Sequence, residues 1–159
     1  MRKIVSIADM GISQDEDGSL ITYSLGSCIG VVIYDPVARV GGLLHYMLPE
    51  SNLDPQKALK KPYMFADTGI PLLFKESYRF GAVKNRLIVK VAGGAQILDD
   101  SGFFNIGKRN YMAMRKLLWK NNILIKAEDV GGQVSRTVRL EMSTGEVWIK
   151  YSGEEEKKL

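Results

Sequence analysis

The sequence predicts an α+β fold, a layered sandwich of mixed β-sheets with helices packed on one side. Three observations carry this. Short strand-like runs crowd the first half of the chain, two helical patterns occupy the middle, and three more strand candidates follow the second helix instead of alternating with helices. At 159 residues the chain can bury one sizeable core and is too short for two full domains. A single domain over 1–153 is expected, with a frayed, solvated tail over 154–159 that has no apolar periodicity.

The first strands are expected at Lys3 to Ala8, Ser19 to Leu25, Cys28 to Tyr34 and Val40 to Met47, each rich in Ile, Val, Tyr or Leu and joined as hairpins. Asp35-Pro36 closes the third, because proline cannot donate to a ladder. Gly41-Gly42 marks a bulge or a close backbone approach within the fourth. Asp54-Pro55 reads as an N-cap followed by proline in the first turn, and Tyr63 to Phe80 carries helical spacing interrupted or kinked near Pro71. A buried strand from Arg86 to Ala92 runs into a tight turn at Gly93-Gly94. Asn105 is the expected cap of a helix from about Ile106 to Lys120. Strands at Ile123 to Val130, Thr137 to Met142 and Glu146 to Tyr151 complete the order.

Composition narrows the function classes. Twenty-two basic against 18 acidic residues leave a formal charge of +4, a modest bias toward acidic partners that does not specify nucleic acid. The one cysteine excludes an intrachain disulfide and a cysteine-rich metal site, and fits a reducing compartment. The N-terminal apolar stretch breaks at Asp9, short of a signal peptide, and runs such as Ile29 to Tyr34 fall well below the roughly 20 residues that cross a bilayer. Gly93-Gly94 lacks a following Gly-Lys-Ser/Thr, so a phosphate loop is not expected.

The chemistry on offer is set by scarcity: one thiol, Cys28, and one imidazole, His45. A thiol nucleophile needs such a base, and Cys28 follows a glycine-containing turn whose N–H groups can face an oxyanion. Neighbouring strands about 4.8 Å apart can bring ring and sulfur together. Thr22, on the strand leading to Cys28, can orient the ring through its hydroxyl. Asp35 and Glu50 are rival orienters beside turn prolines, where solvated loop charges are the simpler account. Spacing alone also accommodates a buried structural cysteine, a hydrogen-bonded core histidine and a threonine serving only as a strand former.

Taken in order, Thr22, Leu25-Gly26-Ser27-Cys28, His45 with Met47-Leu48-Pro49, Gly93-Gly94-Ala95, Asn105-Ile106-Gly107-Lys108-Arg109-Asn110 and Glu128-Asp129-Val130-Gly131-Gly132 resemble the chemoreceptor glutamine deamidase family, CheD, over about Ile4 to Tyr151. The resemblance implies a cytoplasmic chemotaxis enzyme with a fold similar to the catalytic domain of deamidating toxins. It implies a triad of Cys28 as nucleophile, His45 as general base and acid, and Thr22 as the orienting residue. Glutamines of methyl-accepting chemoreceptors become glutamates through a thioester, with no metal or organic cofactor, and the phosphatase CheC is a second partner. Other classes stay open: a noncatalytic receptor- or CheC-binding adaptor, and a cysteine hydrolase acting also on receptor glutamyl methyl esters. A bell-shaped pH profile is expected, since a thiolate must coexist with a proton-donating histidine.

Two surface features complete the reading. Lys108, Arg109, Arg115, Lys116 and Lys120 form a basic stripe on the second helix, either an ordinary solvated face or an attractor of acidic receptor helices or anionic lipid. Phe103-Phe104 follows a loop-like Asp99-Asp100-Ser101-Gly102 and reads as a docking anchor or as core.

Overall fold

Strands whose alternate residues are apolar need cover on the faces those residues present, and here two sheets supply it to each other. Residues 1–96 and 105–159 are described by a computed structural model. One sheet runs in the order β1 (Arg2–Ile4), β3 (Ser19–Leu25), β8 (Arg136–Glu141), β9 (Val147–Tyr151) and β10 (Glu156–Lys158). The other runs β2 (Asp9–Ser13), β5 (Val40–Tyr46), β4 (Ile29–Asp35), β6 (Ile88–Gly93) and β7 (Ala127–Val130). The β1–β3 and β6–β7 pairs are parallel and the rest antiparallel, so both sheets are mixed.

The layers follow from which side chains meet. Leu20 and Leu25 of β3, Val138 and Leu140 of β8 and Ile149 of β9 pack against Val32 of β4 and Leu43 of β5, filling the space between the sheets. The opposite face of β4 and β5 presents Val31, Ile33, Leu44 and Tyr46 to Ile70, Leu73 and Phe74 of α2 (Ala66–Arg79) and to Met114 and Leu118 of α3 (Ile106–Lys120). Both central strands are therefore buried along their whole length. Each fully buried Leu or Ile contributes about 1.5–3 kcal/mol, which makes this three-layer core the main source of stability. The α+β sandwich with helices on one side is thus the observed architecture.

Local differences have local causes. The strand expected over Lys3 to Ala8 ends at Ile4, Ala8 with φ of 61° turns the chain, and a strand the sequence reading did not place, β2, follows with Met10 and Ile12 against the helical layer. The strands β3 and β4 are not a hairpin: a register break between Thr22 and Leu25, with Ser24 at φ of 60°, carries the chain from one sheet to the other. At Gly41-Gly42 the β5 ladder is regular, and close approach is the reason for glycine, since an added Cβ at Gly42 would lie 2.9 Å from Ile12 and 3.0 Å from Leu73. Asp54 caps α1 (Pro55–Lys60) by accepting from the Lys57 N–H, and α2 passes through Pro71 without interruption. Asn105 does not cap α3 with its side chain; its backbone is left-handed at φ of 54°. The tail expected to fray instead pairs as β10 with β9, while its strand residues stay exposed.

Asp35 is also corrected. It is fully buried, accepts from the N–H groups of Val37, Ala38 and Val83, and pairs with Arg86 at 2.9 Å. Burial pushes its carboxyl up, but the bonds from Ala38, Arg86, Val83 and Val37 outweigh that and bring it down to about 2. Its stabilising contribution is full above the unfolded value near 3.8 and is lost as pH falls through about 2. Asp35→Asn is expected to lower stability by about 2 kcal/mol at neutral pH, with the gap from wild type closing toward pH 2. Urea unfolding across that range checks it, and an unchanged midpoint at pH 7 would contradict it.

Candidate functional site

The site lies where the two sheets meet at one end of β3, β4 and β5. In the β4–β5 register Gly30 faces His45, and strand alternation puts residue 28 on the same side of the sheet as residues 30 and 45. That side is the space between the sheets, where Cys28 packs beside the inter-sheet core. From the other sheet, Thr22 projects into the same space, two residues along β3 from Leu20. Thr22 and His45 are fully buried, and Cys28 is half-buried.

Hydrogen bonding sets the state of the ring. The Thr22 Oγ1 lies 2.7 Å from the Val5 carbonyl and 2.7 Å from His45 Nδ1. A hydroxyl has one proton, and a carbonyl can only accept, so Thr22 donates to Val5 and must accept from Nδ1–H. This pairing assigns the Nδ1–H tautomer and leaves the lone pair on Nε2. Nε2 is buried and has no hydrogen-bond partner among the described residues. The structure thus joins Thr22 to His45, while no hydrogen bond links Cys28 to the ring.

Both titrating groups rest neutral. Burial pushes the Cys28 thiol up to about 11, partly opposed by its own backbone N–H, and burial pushes His45 down to about 4. The arrangement is a neutral imidazole with a free lone pair in the inter-sheet space that the thiol borders, a state suited to proton transfer during attack rather than to a preformed ion pair.

The chain around Cys28 is held by backbone contacts. Gly94 N–H donates to the Cys28 carbonyl and Ala95 N–H to the Gly26 carbonyl, both at 2.8 Å. Gly93 and Gly94 have φ of 111° and 64°, and a Cβ on Gly93 would overlap the Cys28 carbonyl, so glycine is needed there on both counts. The turn at Gly93-Gly94 therefore abuts the cysteine loop. Arg136, buried and paired with Asp129 at 2.9 Å, reaches the Gly93 carbonyl and supports the turn from behind. Sequence reasoning assigned no role to Arg136.

Nor did it assign one to Asn110. This residue lies on the buried side of α3, and its Nδ2 donates to the Ser27 carbonyl at 2.9 Å and to the Met47 carbonyl at 2.8 Å. The Tyr46 hydroxyl meets the Asn110 carbonyl at 2.6 Å. Its place in the Asn105 to Asn110 motif was the available signal.

On its outer side α3 borders a groove of about 980 Å³, lined by Lys108, Arg109, Lys116 and Lys120 opposite Glu50 and Asp67. Arg115 leaves this stripe and turns to Tyr111 and Glu128. Cys28, His45 and Thr22 do not line the groove. Glu50 stands at its rim and is no partner of the ring. Among the described residues no cluster of three or more His, Cys, Asp or Glu could hold a metal, and no helix is long and apolar enough to cross a membrane. Phe103-Phe104 lies outside the described residues.

Comparison with known proteins adds a family. The model of the family described as CheD chemotactic sensory transduction matches residues 47–151. A protein of Syntrophus aciditrophicus named "Probable chemoreceptor glutamine deamidase CheD 1" is 61% identical over 150 residues, 94% of each chain. Similarly named proteins of Solibacter usitatus and Anaeromyxobacter dehalogenans are 52% and 48% identical, covering 96% and 92% of this chain and 90% and 92% of theirs.

Proposed function

The chain belongs to the CheD family, and on that premise we propose that it deamidates glutamine side chains of methyl-accepting chemoreceptors to glutamate, with Cys28 as nucleophile, His45 as base and acid, and Thr22 as the orienting residue. The single observation that carries the assignment of roles is the relay from the Val5 carbonyl through Thr22 to His45, which presents Nε2 as an unpartnered base in the space that Cys28 shares. The names of the relatives supply the substrate class.

The proposed reaction runs in two halves. As the Cys28 sulfur bonds to the carboxamide carbon, its proton passes to Nε2 and the carbonyl oxygen becomes an oxyanion. The Cys28 N–H, which lies against its own sulfur, is a backbone donor to that oxygen. Nε2–H then protonates the departing nitrogen, the C–N bond breaks, and ammonia leaves a thioester. Water gives a proton to Nε2 as its oxygen bonds to the thioester carbon; the C–S bond breaks and the proton returns to sulfur. Thr22 is neutral throughout and holds the tautomer without stabilising an imidazolium by charge.

Purified chemoreceptor incubated with the protein tests this. Release of ammonia with conversion of glutamine to glutamate in receptor peptides supports deamidation, whereas loss of methyl groups from glutamyl esters would indicate the esterase reading. The proposal places the protein in the cytoplasm, with CheC as a second partner.

The basic groove is proposed to steer the acidic receptor surface. Lys108→Glu together with Lys116→Glu is expected to lower kcat/KM for receptor by about tenfold at low salt, with the difference shrinking as salt screens it. Steady-state rates at two ionic strengths check this, and equal rates at low salt would remove the groove from the mechanism.

A further inference from the structure

We infer that Asn110 is a positioning residue that locks the Ser27–Cys28 peptide plane so that the Cys28 N–H faces the developing oxyanion. The inference rests on the deamidase reading and assigns this site a further member. A trans peptide is rigid and planar, and its C=O and N–H point in opposite directions. Whatever holds the Ser27 carbonyl therefore aims the N–H of Cys28. Asn110 Nδ2 holds that carbonyl at 2.9 Å, and with its second proton it holds Met47 at 2.8 Å, just beyond the His45 strand. One amide group thus fixes the nucleophile's peptide relative to the strand that carries the base.

The orientation of the amide follows from its partners. Both are carbonyls, which only accept, so Nδ2 faces them and Oδ1 points away. Oδ1 is buried and without a hydrogen-bond partner among the described residues. The helix that bears Asn110 is itself fixed to the site strand through the Tyr46 hydroxyl on the Asn110 carbonyl, so the donor pair sits on a rigid support.

Two reactions of Cys28 separate this role from general structural support. Deamidation forms an oxyanion; alkylation of the sulfur by iodoacetamide does not. In the full-length protein, Asn110→Asp replaces the donors with an acceptor, and Asn110→Ser leaves a hydroxyl too short to span both carbonyls; Asn110→Ser is read if the first variant does not fold. The expected result is a fall of about 100-fold in kcat for receptor deamidation, with KM within about twofold of wild type and the Cys28 alkylation rate reduced far less, by at most about tenfold, as the N–H leaves the sulfur. Unchanged kcat would overturn the inference, and so would a parallel loss of alkylation, which would mark a general disturbance of the cysteine loop. Deamidation that survives Cys28→Ala would instead overturn Cys28 as the nucleophile, and receptor left unchanged by the wild-type protein would overturn the deamidase reading, outcomes distinct from either.

Discussion

Cys28→Ala is expected to abolish ammonia release from purified chemoreceptor while leaving fold and receptor binding in place. The sulfur supplies the bond that divides one difficult hydrolysis into two easier ones, and no second thiol exists in the chain to replace it. The loss should reach at least about 10⁴-fold, because without the nucleophile the remaining donors and the base act on water alone. Fold should survive: Cys28 is half-buried at the rim of the inter-sheet core, and removing one sulfur there leaves Leu20, Leu25, Val32 and Leu43 in contact. Receptor pull-down measured beside ammonia release makes the result decisive. Ammonia release by both proteins no faster than from receptor alone would leave the adaptor reading, in which the same surface binds a receptor without acting on it, and equal release above that background would remove Cys28 as the nucleophile.

The reach of the sequence differed from residue to residue. Cys28 and His45 could be singled out because each is alone of its kind, and Thr22 because it stands on the strand that enters the cysteine turn. What the sequence could not show was how Thr22 reaches the ring. It does so across two sheets, because the break after Thr22 transfers the chain between them, and such a crossing leaves no periodic trace. Asp35 misled for a related reason. Its aspartate-proline pair is turn chemistry, yet three backbone donors and Arg86, which lies 51 residues away in the chain, enclose it. The tail over 154–159 shows no apolar pattern because β10 is an exposed edge strand held by backbone bonds to β9, and backbone bonds carry no side-chain signature. Helix α3 was the most legible element, since its apolar face repeats at 3.6 residues; it spans Ile106–Lys120 as expected, with Asn105 in the cap position but without a side-chain capping bond. Gly107 is what its start requires: an added Cβ would press into the Gly94 carbonyl at 2.6 Å.

Neutral pH should leave the rate of Cys28-dependent deamidation flat, with the acid limb falling only as His45 takes a proton near pH 4. The sign follows from which form works. The base is the neutral ring, burial pushes that ring down from 6.5 to about 4, and protonation therefore removes activity below about 4. The thiol, pushed up to about 11, keeps its proton until then, so the two limbs of the bell stand far apart. A preformed thiolate–imidazolium pair would behave otherwise: its acid limb would follow protonation of the thiolate, and its alkaline limb would follow loss of the imidazolium proton, which the thiolate's charge holds above the ordinary histidine value of about 6.5. Stability shares the same group: the contribution of the buried neutral ring is full above the unfolded value of 6.5 and is lost as pH falls through about 4, a loss of roughly 3 kcal/mol. His45→Gln should remove that slope from the unfolding curve and cost about 10² to 10⁴ in kcat at pH 7. Rates read at each pH, paired with recovery of activity after return to pH 7, separate titration from acid unfolding. A reversible loss of rate as pH rises through about 7 to 9, well below the thiol's value of about 11, would show that the sulfur and ring rest as ions, and the general-base role of His45 in the first step would fall.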